Sequence, residues 1–332
     1  MKRAVQLTLF SSGLIIAAIV VIYVMLIAEL GVEMDFLHSL ILVPAVILAY
    51  VVSALVIDQT LNPIRLMISK VNELGKMDFS KPLIIDAADD EVMEYVTAFN
   101  NMSQKLNRHI ELQKQFISDA SHELATPITV INGHADMLLR RGKEYPELID
   151  SGLEVIKSEI LRMDGLVDSL LLLARSDSGK QKYDFEQVNL TDLLTESLAE
   201  SMLIAHDFTF ETDFEPNISV RCDEFAIRRV MRILLSNAVK YSDDSRLINI
   251  KADTEHEMVK VSVKNYGIGI APEHLPHVFE RFYRVDTSRA RKTGSSGLGL
   301  AIAKEIIDAH GGDIGVTSRV GEETEFNFVL SL

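Results

Sequence analysis

Residues 116–129 read FISDASHELATPIT, and their periodicity sets the reading of the chain around them. Ile117, Ala120, Leu124, Ile128 and, just beyond, Ile131 recur at three- and four-residue steps, the period of an amphipathic helix. His122 falls on the side away from that stripe, with Glu123 flanking it and Thr126 one turn further along the same face. An imidazole turned to solvent keeps a nitrogen lone pair at neutral pH, because its ordinary pKa is about 6.5. The neutral ring is a nucleophile, and a neighbouring carboxylate can hold its tautomer or take up the proton released. A lone surface histidine usually does nothing. It is the string around His122 that gives this one weight.

Working outward, the spacing predicts two long helices, 101–141 and 146–175, joined by the turn RGKEYP. The second carries Leu153, Ile156, Ile160, Met163, Leu166, Val167 and Leu170 on one face. A two-helix hairpin leaves half of each apolar face wet, and a dimer forming a four-helix bundle covers it. Upstream, residues 4–28 and 36–57 carry no formal charge, and each run is long enough to cross a hydrocarbon core of roughly 30 Å as a helix. A cleavable signal is the rival reading of the first run, which is too long for one and lacks a small-x-small site. Lys2 and Arg3 precede the first run, Arg65 and Lys70 follow the second, and the connector ELGVEMD (29–35) has no basic residue. Both ends are therefore expected in the cytoplasm, with a loop outside too short to fold around a ligand. The stimulus is expected within the membrane or from a membrane-embedded partner. Residues 58–110 read as helix, connector, helix, with Pro63 near the first start and Asp89, Asp90 and Glu91 in the first turn of the second.

Downstream of the polar stretch SDSGKQKYDFEQ the texture changes. Val259, Val261 and Val263 alternate with Lys260, Ser262 and Lys264 as in a half-buried strand, and DFTFETD and EFNFVL look alike. EFAIRRVMRILLSNAVKYS is an amphipathic helix, so 184–332 is expected to be an α+β sandwich. Four phrases within it point to a bound nucleotide. In LLSNAVKYS, the Asn237 amide oxygen suits a hard cation such as Mg²⁺. There Lys240 suits a phosphate and Tyr241 a base. NYGIGI carries Gly267 and Gly269, which allow close backbone approach. FERFYR carries Phe279 and Phe282, either core or the hinge of a lid. GSSGLGLAIAKEII carries Gly294, Gly297, Leu298 and Gly299 straight into a helix, presenting backbone N–H groups to anions.

Taken together these phrases resemble a membrane-bound sensor histidine kinase of a two-component system. SHELATPI resembles the phospho-acceptor box, which implies His122 as acceptor, Glu123 as acid/base, Thr126 as the residue orienting water for dephosphorylation, and Pro127 as the helix-bending proline. Ala125 stands where the family usually has a basic residue. Residues 58–110 resemble a HAMP signal-relay module, 111–178 a dimerisation and phosphotransfer hairpin, and 184–332 the GHKL ATP-binding fold with its N, G1, F and G2 boxes. The resemblance implies Asn237 on Mg²⁺, Lys240 on phosphate, Tyr241 on adenine, and Gly294, Gly297 and Gly299 around the phosphates, with Arg289 at a basic position of the lid. The G1 box normally opens with an aspartate that accepts from the adenine amino group; here it is Asn265, which accepts without charge and so more weakly. Glu323 stands where glycine is common, while Thr324 and Phe326 fit. The activity implied is autophosphorylation of His122 from Mg-ATP and transfer to an aspartate of a separate response regulator, with phosphatase activity towards it, by a homodimer in a bacterial plasma membrane.

Composition narrows the field. A net charge of −15 argues against a nucleic-acid partner, and a single cysteine, Cys222, excludes an internal disulfide or a cysteine zinc cluster. No G-x-x-x-x-G-K-[ST] loop is present. Three alternatives stay open: a protein acting mainly as a phosphatase because Asn265 weakens the kinase, a receptor using nucleotide only for conformation, and a serine kinase or ATPase of the same fold.

Overall fold

Between residues 90 and 126 there is neither glycine nor proline, and the structure, a computed structural model, carries a single helix α1 across this span from Asp90 to Arg141. The structure describes residues 90–285 and 296–332, together with positions 20–23, 25, 29, 44, 47, 50, 51 and 82. The two apolar runs and most of the HAMP-like segment thus lie outside the described residues. Among the described residues no helix is long and apolar enough to cross a membrane. The chain divides into two units, Met1–Leu112 and Gln113–Leu332. The helix expected to start at 101 instead continues unbroken from the one expected before it, because nothing in the intervening sequence interrupts the backbone hydrogen-bond ladder.

Within the second unit, α1 contains Pro127, which leaves one i→i−4 bond unmade, and ends on Arg140 and Arg141, which suit the negative end of the helix dipole. Helix α2 runs from Glu147 to Asp177 after Pro146, with Glu147 and Asp150 in its first turn. Gly179, at φ +64, closes its end, with its N–H donating to the Ser176 carbonyl at 2.8 Å. The hairpin divides its apolar residues. Ile117, Ile128, Leu153, Ile160 and Val167 are exposed in the single chain, whereas Leu166 and Leu173 are buried in the core of the domain that follows. Leu173 has no exposed surface at all. Leu173→Ala should therefore lower stability by about 3 kcal/mol, read as a drop in the denaturation midpoint. A midpoint equal to wild type would place the packing elsewhere.

That domain begins with β1 (Glu186–Asn189), paired antiparallel with β3 (Ser219–Cys222). Between them lie α3 (Leu190–Ile204), capped by the Asn189 side chain accepting from Thr191 N–H at 3.1 Å, and β2 (Thr209–Phe214). Helix α4 (Glu224–Tyr241) is capped by Asp223, which accepts from Ala226 N–H at 2.9 Å. Strands β4 (Leu247–Glu255) and β5 (Met258–Tyr266), helix α5 (Gly299–Ala309) and strands β6 (Asp313–Arg319) and β7 (Glu323–Ser331) complete it. The main sheet has the order β2-β4-β5-β7-β6, with only β2 and β4 parallel. Ile248, Ile250 and Ala252 of β4, Val259, Val261 and Val263 of β5, and Phe326, Phe328 and Leu330 of β7 are buried in one core with Ile227, Leu234, Leu235, Ile302 and Ile306 of α4 and α5. Helices on one face and alternating polar residues on the other give the expected α+β sandwich. Glu323, the departure noted above, begins β7 and pairs with Lys264 of β5 and Arg319 of β6. A charged residue there ties three strands together.

Candidate active site

The C-terminal end of α4, the end of β5, the loop after it and the start of α5 enclose a cleft of about 1000 Å³, part of it open solvent. Ile268, Ile270, Val278 and Phe326 give it an apolar wall, while Asn237, Tyr241, Asn265, Thr324, Tyr283 and Arg284 bring polar groups to it. An apolar cleft with a few convergent polar groups is the form of a small-molecule site. Asn265 and Thr324 face each other in register across β5 and β7, and both are buried. The Ser318 hydroxyl donates to the Glu323 carbonyl at 2.8 Å and accepts from Ile270 N–H at 2.9 Å. Its one proton is then committed, so at 2.7 Å the Thr324 hydroxyl is the donor of that pair and turns lone pairs to the cleft. The Asn265 amide makes no hydrogen bond to another described residue. A buried amide and a hydroxyl acceptor together suit the edge of a heterocycle that carries both donors and acceptors.

The two glycines of NYGIGI allow close approach of backbone to backbone. A Cβ on Gly267 would lie 2.0 Å from the Tyr241 carbonyl oxygen, and one on Gly269 would lie 2.3 Å from that of Arg319. Their smallness lets the end of β5 meet the end of α4 and the turn after β6, and only Gly269 also lines the cleft. Gly297, at φ +73, accepts at its carbonyl from Phe282 N–H at 3.0 Å, and a side chain there would meet the Phe282 backbone. With Gly299 it brings the start of α5 to the cleft wall. Leu298 between them is fully buried, so its side chain belongs to the core rather than to a ligand. Arg289 and Gly294 lie outside the described residues.

On the hairpin, His122 is exposed, and the Thr126 hydroxyl donates back to the His122 carbonyl at 3.3 Å. Glu123 reaches the domain that follows the hairpin, its Oε1 lying 2.8 Å from Nη2 of Arg284, a cleft-lining residue. Both side chains are largely buried, at 24% and 15% exposure. The approach is close, yet Nη2 and Nε of Arg284 make no hydrogen bond of good geometry, so the contact is one of charge and leaves buried donors over. The same segment is fixed to the hairpin twice more. The Phe282 ring packs on Phe116 with centroids 5.9 Å apart, and the Arg281 guanidinium donates to both carboxylate oxygens of Asp177 at 2.7 and 2.6 Å. Phe279 packs edge-on against Phe326. The two phenylalanines of FERFYR therefore act as packing on either side of the strap that carries Arg284.

Lys240 does not line the cleft. Its ammonium sits over the Tyr241 ring, 5.4 Å from the centroid, and burial, then the charges of Arg284 and Arg162, hold its pKa down to about 8. Asn237 and Tyr241 line the cleft. Among the described residues no cluster of three or more His, Cys, Asp or Glu side chains could hold a metal by itself. The cleft offers a metal the side-chain amide of Asn237, with that of Asn265 also on its wall. That suits Mg²⁺, which keeps several waters and takes substrate phosphates as ligands. Sequence reasoning missed Tyr283, whose hydroxyl lies 2.7 Å from His274 Nδ1, and Arg284. The only signal for either was the composition of FERFYR itself.

Residues 112–179 match the family model of the His Kinase A (phospho-acceptor) domain, and residues 222–332 that of the Histidine kinase-, DNA gyrase B-, and HSP90-like ATPase. Sensor histidine kinase YkoH of Bacillus subtilis is 36% identical over 305 residues, covering 90% of this chain and 66% of that protein. Signal transduction histidine-protein kinase ArlS of Staphylococcus haemolyticus is 30% identical over 273 residues, covering 82% of this chain and 60% of that protein. The chain thus spans less than two thirds of the length of these curated relatives. The crystal structure of histidine kinase ThkA in complex with response regulator TrrA has the same fold, with a TM-score of 0.53 at 24% identity over 73% of this chain and 68% of that one.

Proposed function

Because the chain belongs to the sensor histidine kinases of two-component systems, we propose that it phosphorylates itself on His122 from ATP and hands the phosphoryl group to an aspartate of a separate response regulator. The observation that supports this most is the Glu123–Arg284 contact, which holds the residue next to His122 against the rim of the cleft. ATP sits with adenine between Tyr241 and the buried Asn265–Thr324 pair and with its phosphates towards Asn237, Arg284 and the start of α5. Asn237 would hold Mg²⁺, whose charge would offset that of the phosphates. Nε2 of the neutral His122 ring attacks the γ-phosphorus in line, the bond to the β,γ-bridging oxygen breaks, and ADP leaves. Glu123 holds the ring and takes up the proton from its other nitrogen. Positioning and charge neutralisation carry most of the rate.

The remaining features belong to the same proposal. Residues 4–28 and 36–57 cross the plasma membrane with Lys2, Arg3, Arg65 and Lys70 on the cytoplasmic side, and 58–110 relays the signal as a HAMP-like module. The apolar residues that the hairpin leaves exposed are covered by a second copy in a four-helix bundle. Thr126, one turn from His122, orients water when the regulator is dephosphorylated. ThkA, solved with its response regulator, supports this kind of partner.

Incubating the full chain with γ-labelled ATP tests the proposal. The expected label is acid-labile, alkali-stable and chased onto a receiver domain. Alkali-labile label on hydroxyls would indicate a serine kinase, and free phosphate without labelled protein an ATPase. Asn265 adds a finer expectation. Asn265→Asp should tighten adenine-nucleotide binding roughly fivefold, about 1 kcal/mol for one charge-assisted bond. It should also lower the melting point of the nucleotide-free protein, because the carboxylate is buried. Titration with a fluorescent nucleotide reads the first effect, and unchanged or weaker binding would contradict the role given to this side chain.

A further inference from the structure

A second cavity, of about 430 Å³ and likewise partly open, lies against the hairpin next to Glu123. Glu123 and Arg162 line it on the hairpin side, Ser296 from the segment leading into α5, and Pro127, Met163 and Leu166 form its apolar wall. Arg162 from α2 lines it, Arg284 from the strap after Phe282 meets it through Glu123, and Lys240 at the end of α4 lies near enough to both to feel their charges. Lys240 responds to both of the others, since their charges, after burial, are what depress its pKa. Such mutual repulsion is unfavourable unless an anion is shared. Glu123 lines the cavity and its carboxylate faces Arg284, which still has buried donors to spare. Arg162 is held only loosely, with Nη1 3.7 Å from Glu159 Oε2, beyond hydrogen-bond reach. Its fork is thus free to turn to another acceptor.

We propose that Arg162, on the helix opposite the acceptor histidine, completes an anion site with Arg284 and Lys240 that grips the phosphoryl group while it passes between the nucleotide and His122. The proposal rests on the kinase reading above and adds to it a residue contributed by the hairpin itself. Its charge serves the group in flight more than the bound nucleotide. The phosphoryl group displaces Glu123 as counter-ion of the cluster and leaves that carboxylate to the imidazole. A planar fork matches phosphoryl oxygens in two places, whereas an ammonium matches them only as a point charge.

In the full chain, Arg162→Ala should slow labelling from saturating ATP at least tenfold while leaving the affinity for a fluorescent ATP analogue within twofold of wild type. Arg162→Lys should restore a third or more of the rate. Glu159→Gln, which removes the loose partner but keeps the cation, should label at the wild-type rate, and melting curves of all three should overlap wild type. Labelling of Arg162→Ala within twofold of wild type would overturn the proposal. So would equal losses of rate and nucleotide affinity, a lysine variant as slow as the alanine one, or the same loss in Glu159→Gln, since each would make the arginine structural. If the wild-type chain itself took no label, the kinase reading and this proposal would fall together. Label in wild type and Arg162→Ala alike would remove the proposal alone.

Discussion

His122→Ala should abolish acid-labile labelling from γ-labelled ATP, a loss of about a thousandfold or more because no other group can take the place of a nucleophile that forms a covalent bond. The variant should bind nucleotide as wild type does and melt within about 0.5 kcal/mol of it, because the ring is exposed and its removal opens no cavity. That separation makes the substitution informative. A core histidine would have cost stability as well as label, and an incidental surface histidine would have cost neither. Persisting label at the wild-type level would remove His122 from the mechanism.

The second large effect is expected at Gly267. Its N–H donates to the Glu322 carbonyl at 3.1 Å and it forms a bridge with Ser242, while Asp243 N–H donates to the Tyr266 carbonyl at 2.9 Å. These contacts join the end of β5 to the turn before β7 and to the end of α4, and an added Cβ would sit 2.0 Å from the Tyr241 oxygen. Neither backbone can yield without moving Asn265 or Tyr241, which line the cleft. Gly267→Ala should therefore cost about 3 kcal/mol, the upper end for overpacking. Nucleotide affinity should fall at least tenfold. Thermal melting and nucleotide titration of the same sample read both, and a variant with wild-type affinity would show that the cleft does not depend on this seam.

Much of this was legible in the sequence because it is local. The alternation of Val259, Val261 and Val263 needs only its own strand, the stripe from Ile117 to Ile131 only its own helix, and Asn237 and Tyr241 share one face by helical spacing. What could not be read depends on residues far apart in the chain. The parallel pairing of β2 with β4 and the ribbon of β1 with β3 leave no local mark. Arg284 looks like any arginine after two phenylalanines until Phe116, Asp177 and Glu123 of the hairpin are seen to hold its segment. The glycines of NYGIGI and the leucine of GLGL were assigned to the ligand by their motif. Yet Gly267 is small for the sake of the Tyr241 backbone, and Leu298 packs in the core. The family resemblance implies a phosphate contact for Lys240. It lies off the cleft, among the cations beside the hairpin.

Mapping the phosphate on the intact chain by mass spectrometry under alkaline conditions, after a brief incubation with ATP and Mg²⁺, tests the central claim most directly. The chain has nine histidines. The account predicts phosphate on the peptide containing His122 and on no other. Phosphate on a different side chain, or an unmodified protein that nevertheless turns over ATP, would contradict it.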